Sequence, residues 1–206
     1  MAFKKPTSFS KTNLLQGFKT LDNLWERNLF PADLERHYFL HWFVVYQGNI
    51  IQTAKALQIH RNTIQGHFLK FGFSKKSVRL RHSWQTLVNK NKTSSFDTNF
   101  LKFYQQFGGK TKFSVNENKS LIKLWQTRFS FKTLMAHYLY WALRTHKPKE
   151  WIQKKLDYSD RHRIRLLTSI LNPKNRDGFW LSVLKPTSRE VYSARYRNIL
   201  AKMKKR

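Results

Sequence analysis

The sequence predicts an all-α protein, and three observations carry that expectation. Glycine and proline are scarce, at 7 and 5 of 206 residues. Few breakers argue against a fold of many tight turns such as a sandwich or barrel. Apolar residues recur at helical spacing through long segments. Finally, LDNLWERNLFPADLERHYF (21–39) repeats as LIKLWQTRFSFKTLMAHYL (121–139), so one helical unit is expected to occur twice.

The first unit reads as follows. The amino-terminal segment carries Lys4, Lys5, Lys11 and Lys19 without an acid and is expected to be a solvated basic arm. A helix starts near Pro31 or Ala32, with Leu34, Tyr38, Trp42 and Val45 as its buried stripe. Gly48 breaks it. Asn49 then caps a short helix, with Gln52 in capping-box position and Ala54 and Leu57 turned inward. Ala54 is small enough to let a second helix cross closely. Ile59 closes the turn, and Arg61–Phe71 forms a third helix with Ile64 and Phe68 inside and Gly72 as its stop. Its outward positions are Arg61, Asn62, Thr63, Gln65, Gly66 and Lys70, hydrogen-bonding types suited to base edges and phosphates for the most part.

GNIIQTAKALQIHRNTIQGHFLKFGF resembles the helix-turn-helix of the Fis family, the module that also closes NtrC-type activators. The match rests on Gly48-Asn49, Ala54, Leu57, Ile59, Arg61-Asn62-Thr63, Lys70 and Gly72, and with the preceding helix it covers about residues 31–74. The resemblance implies that the third helix enters the major groove of DNA, with His60 and Arg61 reading bases. It also implies that Thr63 and Lys70 bind phosphate and that Asn49 caps the second helix near the backbone. Two departures stand out. Gln58 replaces the usual turn glycine, at a position that often needs positive φ and then costs roughly 1 kcal/mol. Gln65-Gly66-His67 replaces a basic cluster, and a mid-helix glycine costs about 1 kcal/mol. Lys75, Lys76, Arg79 and Arg81 just beyond are expected to supply the missing phosphate contacts.

At an offset of 100, Leu21/Leu121, Leu24/Leu124, Trp25/Trp125, Leu34/Leu134, His37/His137 and Tyr38/Tyr138 are identical, as are Lys19/Lys119, Arg61/Arg161 and Ile64/Ile164. The middle drifts by one, pairing Trp42 with Trp141 and Leu57 with Leu156. The second copy is thus expected to hold a helix-turn-helix-like segment over 131–172, with Ser159 as cap and Arg161, Arg163 and Arg165 on a second DNA-facing helix over 160–171. Lys147-Pro148-Lys149 stands in place of Gly-Asn. The expected organisation is a first unit over 1–88, a polar hinge and short helix over 89–109, and a second unit over 110–206. Within it, Asn89–Thr98 is the loop and Phe100–Phe107 the helix. After the turn at NPKNRDG and the apolar run Phe179–Leu184, a last basic helix opens at Thr187 or Ser188 and ends in Lys202, Lys204, Lys205 and Arg206.

Forty Lys and Arg face eleven Asp and Glu, a formal net charge of +29. No carboxylate occurs between Glu35 and Asp97, a stretch rich in Lys, Arg, His and aromatics. A one-sign block of that kind points to a polyanion. Duplex DNA is the first expectation, bound by a monomer acting as its own dimer or by a homodimer, as a transcriptional regulator or nucleoid-type architectural protein. A ribonucleoprotein role and an accessory DNA-end binder of a mobile element are the alternatives. No apolar run reaches the roughly 18–20 residues that span a bilayer. No membrane partner is therefore expected, and a nucleoid location in a bacterium or phage-infected cell is.

Catalysis and cofactors are not expected. No Cys is present, so thiolate zinc sites and Cys nucleophiles are excluded. His37 and His41 have zinc-compatible spacing without a third ligand. Gly108-Gly109-Lys110-Thr111 mimics the end of a phosphate loop without its first glycine. Asp22, Glu26, Asp33 and Glu35 read as balancing helix N-termini. Most aromatics fall on inward positions. Trp84 and Phe96, in polar surroundings, are the candidates for base stacking.

Overall fold

The computed structural model describes residues 11–29, 31–73, 77–109, 111–127, 129–145, 147–156 and 165. All regular structure among the described residues is helical: α1 (Lys11–Glu26), α2 (Pro31–Val45), α3 (Ile50–Leu57), α4 (Arg61–Lys70), α5 (Ser77–Lys90), α6 (Phe96–Phe107), α7 (Val115–Gln126), α8 (Phe131–Arg144) and α9 (Lys149–Leu156). They fall into two compact units, one spanning Ala32–Arg128 and the other built from Phe9–Pro31 with Phe129–Arg206. The first unit therefore holds α2 to α7, and the second holds α1, α8 and α9.

This division differs from the one expected at 89–109. The polar run there is the carboxyl end of α5 and a short turn. Lys90 closes α5, and the Ser95 hydroxyl caps α6 by accepting from the Thr98 N–H, so α6 starts four residues before Phe100. The α5 and α6 helices pack on each other inside one unit, so no hinge separates them.

In the first unit α2 is the central post. The expected stripe is buried at Leu34, Tyr38 and Trp42, but so are Glu35, His37, Phe39, Leu40, His41, Phe43 and Val44. A helix covered on all sides has no polar face to set its period. One side meets α4, where Phe43 packs edge-on against Phe68 and Phe39 stacks on His67 at 4.2 Å. Another side meets α6 and α7. The Tyr104 hydroxyl donates to the Asp33 carbonyl at 3.2 Å. The Trp125 indole N–H donates to His37 Nδ1 at 3.0 Å. With Nδ1 accepting, the His37 proton sits on Nε2 and is given to Asn118 Oδ1 at 3.1 Å. Burial lowers the His37 pKa to about 4, so the ring is neutral. His37 is thus committed to the core, and no group of three or more His, Cys, Asp or Glu gathers to hold a metal among the described residues.

The second unit repeats this arrangement with residues from the opposite parts of the chain. The Trp25 indole N–H donates to His137 Nδ1 at 3.2 Å. Trp25 meets Tyr138 edge-on at 4.8 Å, as Trp125 meets Tyr38 at 5.2 Å in the first unit. Where Asn118 holds His37, Phe18 stacks on His137 at 4.7 Å. The turns match too, at an offset of 99. Tyr46 N–H reaches the Trp42 carbonyl and Gly48 N–H reaches Phe43. Likewise Thr145 N–H reaches Trp141 and Lys147 N–H reaches Ala142. Each unit takes its tryptophan from a helix of the other sequence segment. Trp25, ahead of α2, serves the unit of α8. Trp125, ahead of α8, serves the unit of α2.

The helix stops follow one rule. Asn28, Gln47 and Gln58 have φ of 57°, 52° and 55°, and Gly72 has 74°. After each, an N–H bonds a carbonyl five residues back: Leu29 to Leu24, Gly48 to Phe43, Ile59 to Ala54 and Phe73 to Phe68. Gln58 does adopt the left-handed conformation that the missing glycine would have eased. Gly48 has φ +77°, and a Cβ on it would lie 2.9 Å from the Arg81 Cβ and Cγ. Gly48→Ala is expected to lower unfolding free energy by about 1–3 kcal/mol, the cost of a left-handed alanine plus displacement of α5, measurable by urea titration.

Candidate nucleic-acid interface

The α3 and α4 helices are joined by Gln58, Ile59 and His60 and pack on each other. The Asn49 side chain accepts from the Gln52 N–H at 3.0 Å, as its capping role requires. Gln52 itself is bonded through its backbone in that contact. His60 has a similar task at the next helix. Its Nδ1 accepts from the Asn62 N–H at 3.3 Å and caps α4. The histidine expected to read bases therefore spends one ring nitrogen on holding the start of the helix.

Ile64 and Phe68 are fully covered. Arg61, Asn62, Thr63, Gln65, Gly66, Leu69 and Lys70 are exposed. Two of these are not of the expected hydrogen-bonding kind. Leu69 is apolar yet 67% exposed, and Gly66 presents bare backbone.

The carboxyl end of α4 is held by α2. Glu35, only 3% exposed, bonds His67 Nδ1 with one oxygen and Lys70 Nζ with the other at 3.1 Å. This corrects two expectations. Glu35 does not balance a helix N-terminus; of the four amino-terminal acids, Asp33 lies in the first turn of a helix, while Glu26 closes α1. Lys70, although its side chain is 60% exposed, already has a carboxylate partner, so a phosphate must compete for it. The neighbouring Arg36 braces the same end. Its Nη1 donates to the Gly108 carbonyl at 3.1 Å and its guanidinium lies 5.1 Å from the Phe71 ring centre. A side chain on Gly109 would run into that guanidinium, so the Gly108-Gly109 turn serves Arg36.

Beyond α4, Lys75 and Lys76 lie outside the described residues. Arg79, Arg81 and His82 project from α5 into solvent, while Leu80 and Trp84 point inward. The Arg81 stem rests against Gly48, just ahead of the start of α3. Trp84 is no base-stacking platform. It is 6% exposed, against Phe96 at 5.6 Å and Phe103 at 5.5 Å. Phe96 in turn stacks on Phe100 at 6.0 Å.

In the second unit, Arg165 is helical and exposed. Ser159, Arg161 and Arg163 lie outside the described residues, as do the turn, apolar run and basic helix expected after residue 172. No helix among the described residues is long and apolar enough to cross a membrane. Comparison with family models, curated proteins and solved structures gave no match.

Proposed function

We propose that this chain binds double-stranded DNA without catalysing a reaction, with α3 and α4 as a helix-turn-helix of Fis type and α4 in the major groove. The observation that carries the reading is the division of α4. Its apolar pair is sealed under α2, while Arg61, Asn62, Thr63 and Gln65 are exposed, and among the described residues the carboxylate bonded to α4 is Glu35, which holds His67 and Lys70. The net charge of +29 supplies the general attraction. Arg61 is the candidate for a bidentate guanine contact at the edge of the site. Thr63 and the α5 arginines are candidates for phosphate; the position of the Arg81 stem beside Gly48, next to α3, supports this reading. The role is that of a transcriptional regulator or an architectural protein of the nucleoid.

The matched Trp–His–Tyr contacts and turn bonds of the two units support descent from one duplicated unit. Such a chain carries both halves of a dimer, and linkage raises the effective concentration of the second half. A second reading helix over 160–171 belongs to this proposal, on residues that, Arg165 apart, lie outside the described ones.

The test is competition between duplex DNA and structured RNA at matched salt, followed by footprinting. Duplex preference with protection of about two turns is expected. Arg61→Ala should cost roughly 1–3 kcal/mol on a selected sequence and little on random duplex. Neutralising Arg79 and Arg81 together with Lys75 and Lys76 should flatten the salt dependence of binding on every sequence. Preference for RNA, or an unchanged slope, would overturn the respective assignment.

A further inference from the structure

Gly66 occupies the middle of the exposed face of α4. It lies two residues after Ile64 and two before Phe68, about 200° around the helix from either, and so directly opposite the buried pair. Glycine inside a helix is disfavoured against alanine, roughly fivefold in the folding equilibrium. Nothing among the described residues asks for it. Its φ is not among the positive ones, which among glycines belong to Gly48, Gly72 and Gly109. A Cβ there would meet nothing within 4 Å. Asn62 and Leu69, four residues before and three after, share its strip, and both are exposed. Arg61, three residues before Ile64, stands on the flank of the helix instead.

We infer that Gly66 is the point where the α4 backbone itself rests on the DNA, and that the strip Asn62–Gly66–Leu69 reads an A·T pair at the centre of the site. The inference rests on the DNA-binding reading above. A bare backbone lets the helix sink deeper into the groove than any side chain at 66 would allow. At that depth the Asn62 carboxamide meets the adenine N6–H and N7, one donor and one acceptor for each. Leu69 meets the thymine 5-methyl, the apolar feature of the major-groove edge. This use also accounts for a leucine left 67% exposed on a highly charged surface.

The experiment selects a duplex from a random pool with the full-length wild type. It then measures Gly66→Ala and Leu69→Ala on that duplex, on random duplex, and on the selected duplex with uracil replacing thymine. Gly66→Ala should resist urea better than wild type, because alanine is the better helix former. It should nevertheless bind the selected duplex at least tenfold more weakly, with random duplex bound within twofold of wild type. Uracil should weaken wild-type binding at least threefold and leave Leu69→Ala unaffected. A Gly66→Ala protein that binds the selected duplex as wild type does overturns the close-approach inference alone. A selected site with G·C at its centre, or indifference to uracil, overturns the Asn62 and Leu69 assignments. Failure of the wild type to enrich any duplex overturns the DNA-binding reading itself, and this inference with it.

Discussion

Acidification from pH 7 to pH 4.5 is expected to unfold the first unit. Burial lowers the His37 pKa from 6.5 to about 4, and burial together with repulsion from His37 holds His41 well below its usual range. Both histidines stay neutral when folded and take up protons when unfolded. Stability is thus full above pH 6.5 and is lost as pH falls towards the folded pKa. Each contributes about a tenfold loss in the folding constant per pH unit in that window, so the pair contributes about a hundredfold. Asp97, half-buried and raised by burial, works the other way at the acid end. Urea midpoints followed by tryptophan fluorescence at pH 7, 6, 5 and 4.5 should fall steeply. His41→Phe is the diagnostic variant. Both His41 ring nitrogens are buried without a hydrogen bond. Phenylalanine removes that penalty, so the variant should be more stable at pH 7 and show half the pH slope. A midpoint unchanged between pH 7 and 5 would show that the histidines do not carry the acid response.

Removing either buried indole should be as damaging, and the damage should appear far along the chain. Trp25 and Trp125 are both fully covered. Truncation to alanine leaves a cavity worth about 3–5 kcal/mol. It also strips a buried histidine nitrogen of its donor, about 1–3 kcal/mol more. Trp25 serves His137, 112 residues away, and Trp125 serves His37. Hydrogen exchange should therefore accelerate in α8 for Trp25→Ala and in α2 for Trp125→Ala. Acceleration of α2 by Trp25→Ala and of α8 by Trp125→Ala, the neighbours in sequence, would contradict the exchanged pairing.

Much of the region from Pro31 to Gly72 was legible in the sequence because its signals are local. Asn49 and Gly72 act through their own backbone or the next turn, and Ile64 and Phe68 mark a helix with one wet side. The wrapping of α2 was not legible, since a periodicity argument presumes that one face meets water. Trp84 was misjudged by its polar neighbours, although it follows buried Leu80 by one helical turn. The roles of Glu35 and Arg36 had no sequence signal, because their partners lie on α4 and at the end of α6. The repeat revealed which positions correspond and nothing about which copy they pack into. Identical residues a fixed distance apart are equally consistent with Trp25 resting on His37 or on His137.

The exchange of tryptophans has a consequence for synthesis. A helix that leaves the ribosome early waits for a partner made 112 residues later, roughly 6–20 s at ordinary elongation rates. Through that interval Leu14, Phe18, Leu21, Leu24 and Trp25, all buried in the finished unit, have no completed core to enter. Expression conditions that lengthen or crowd that wait should decide the yield of native protein.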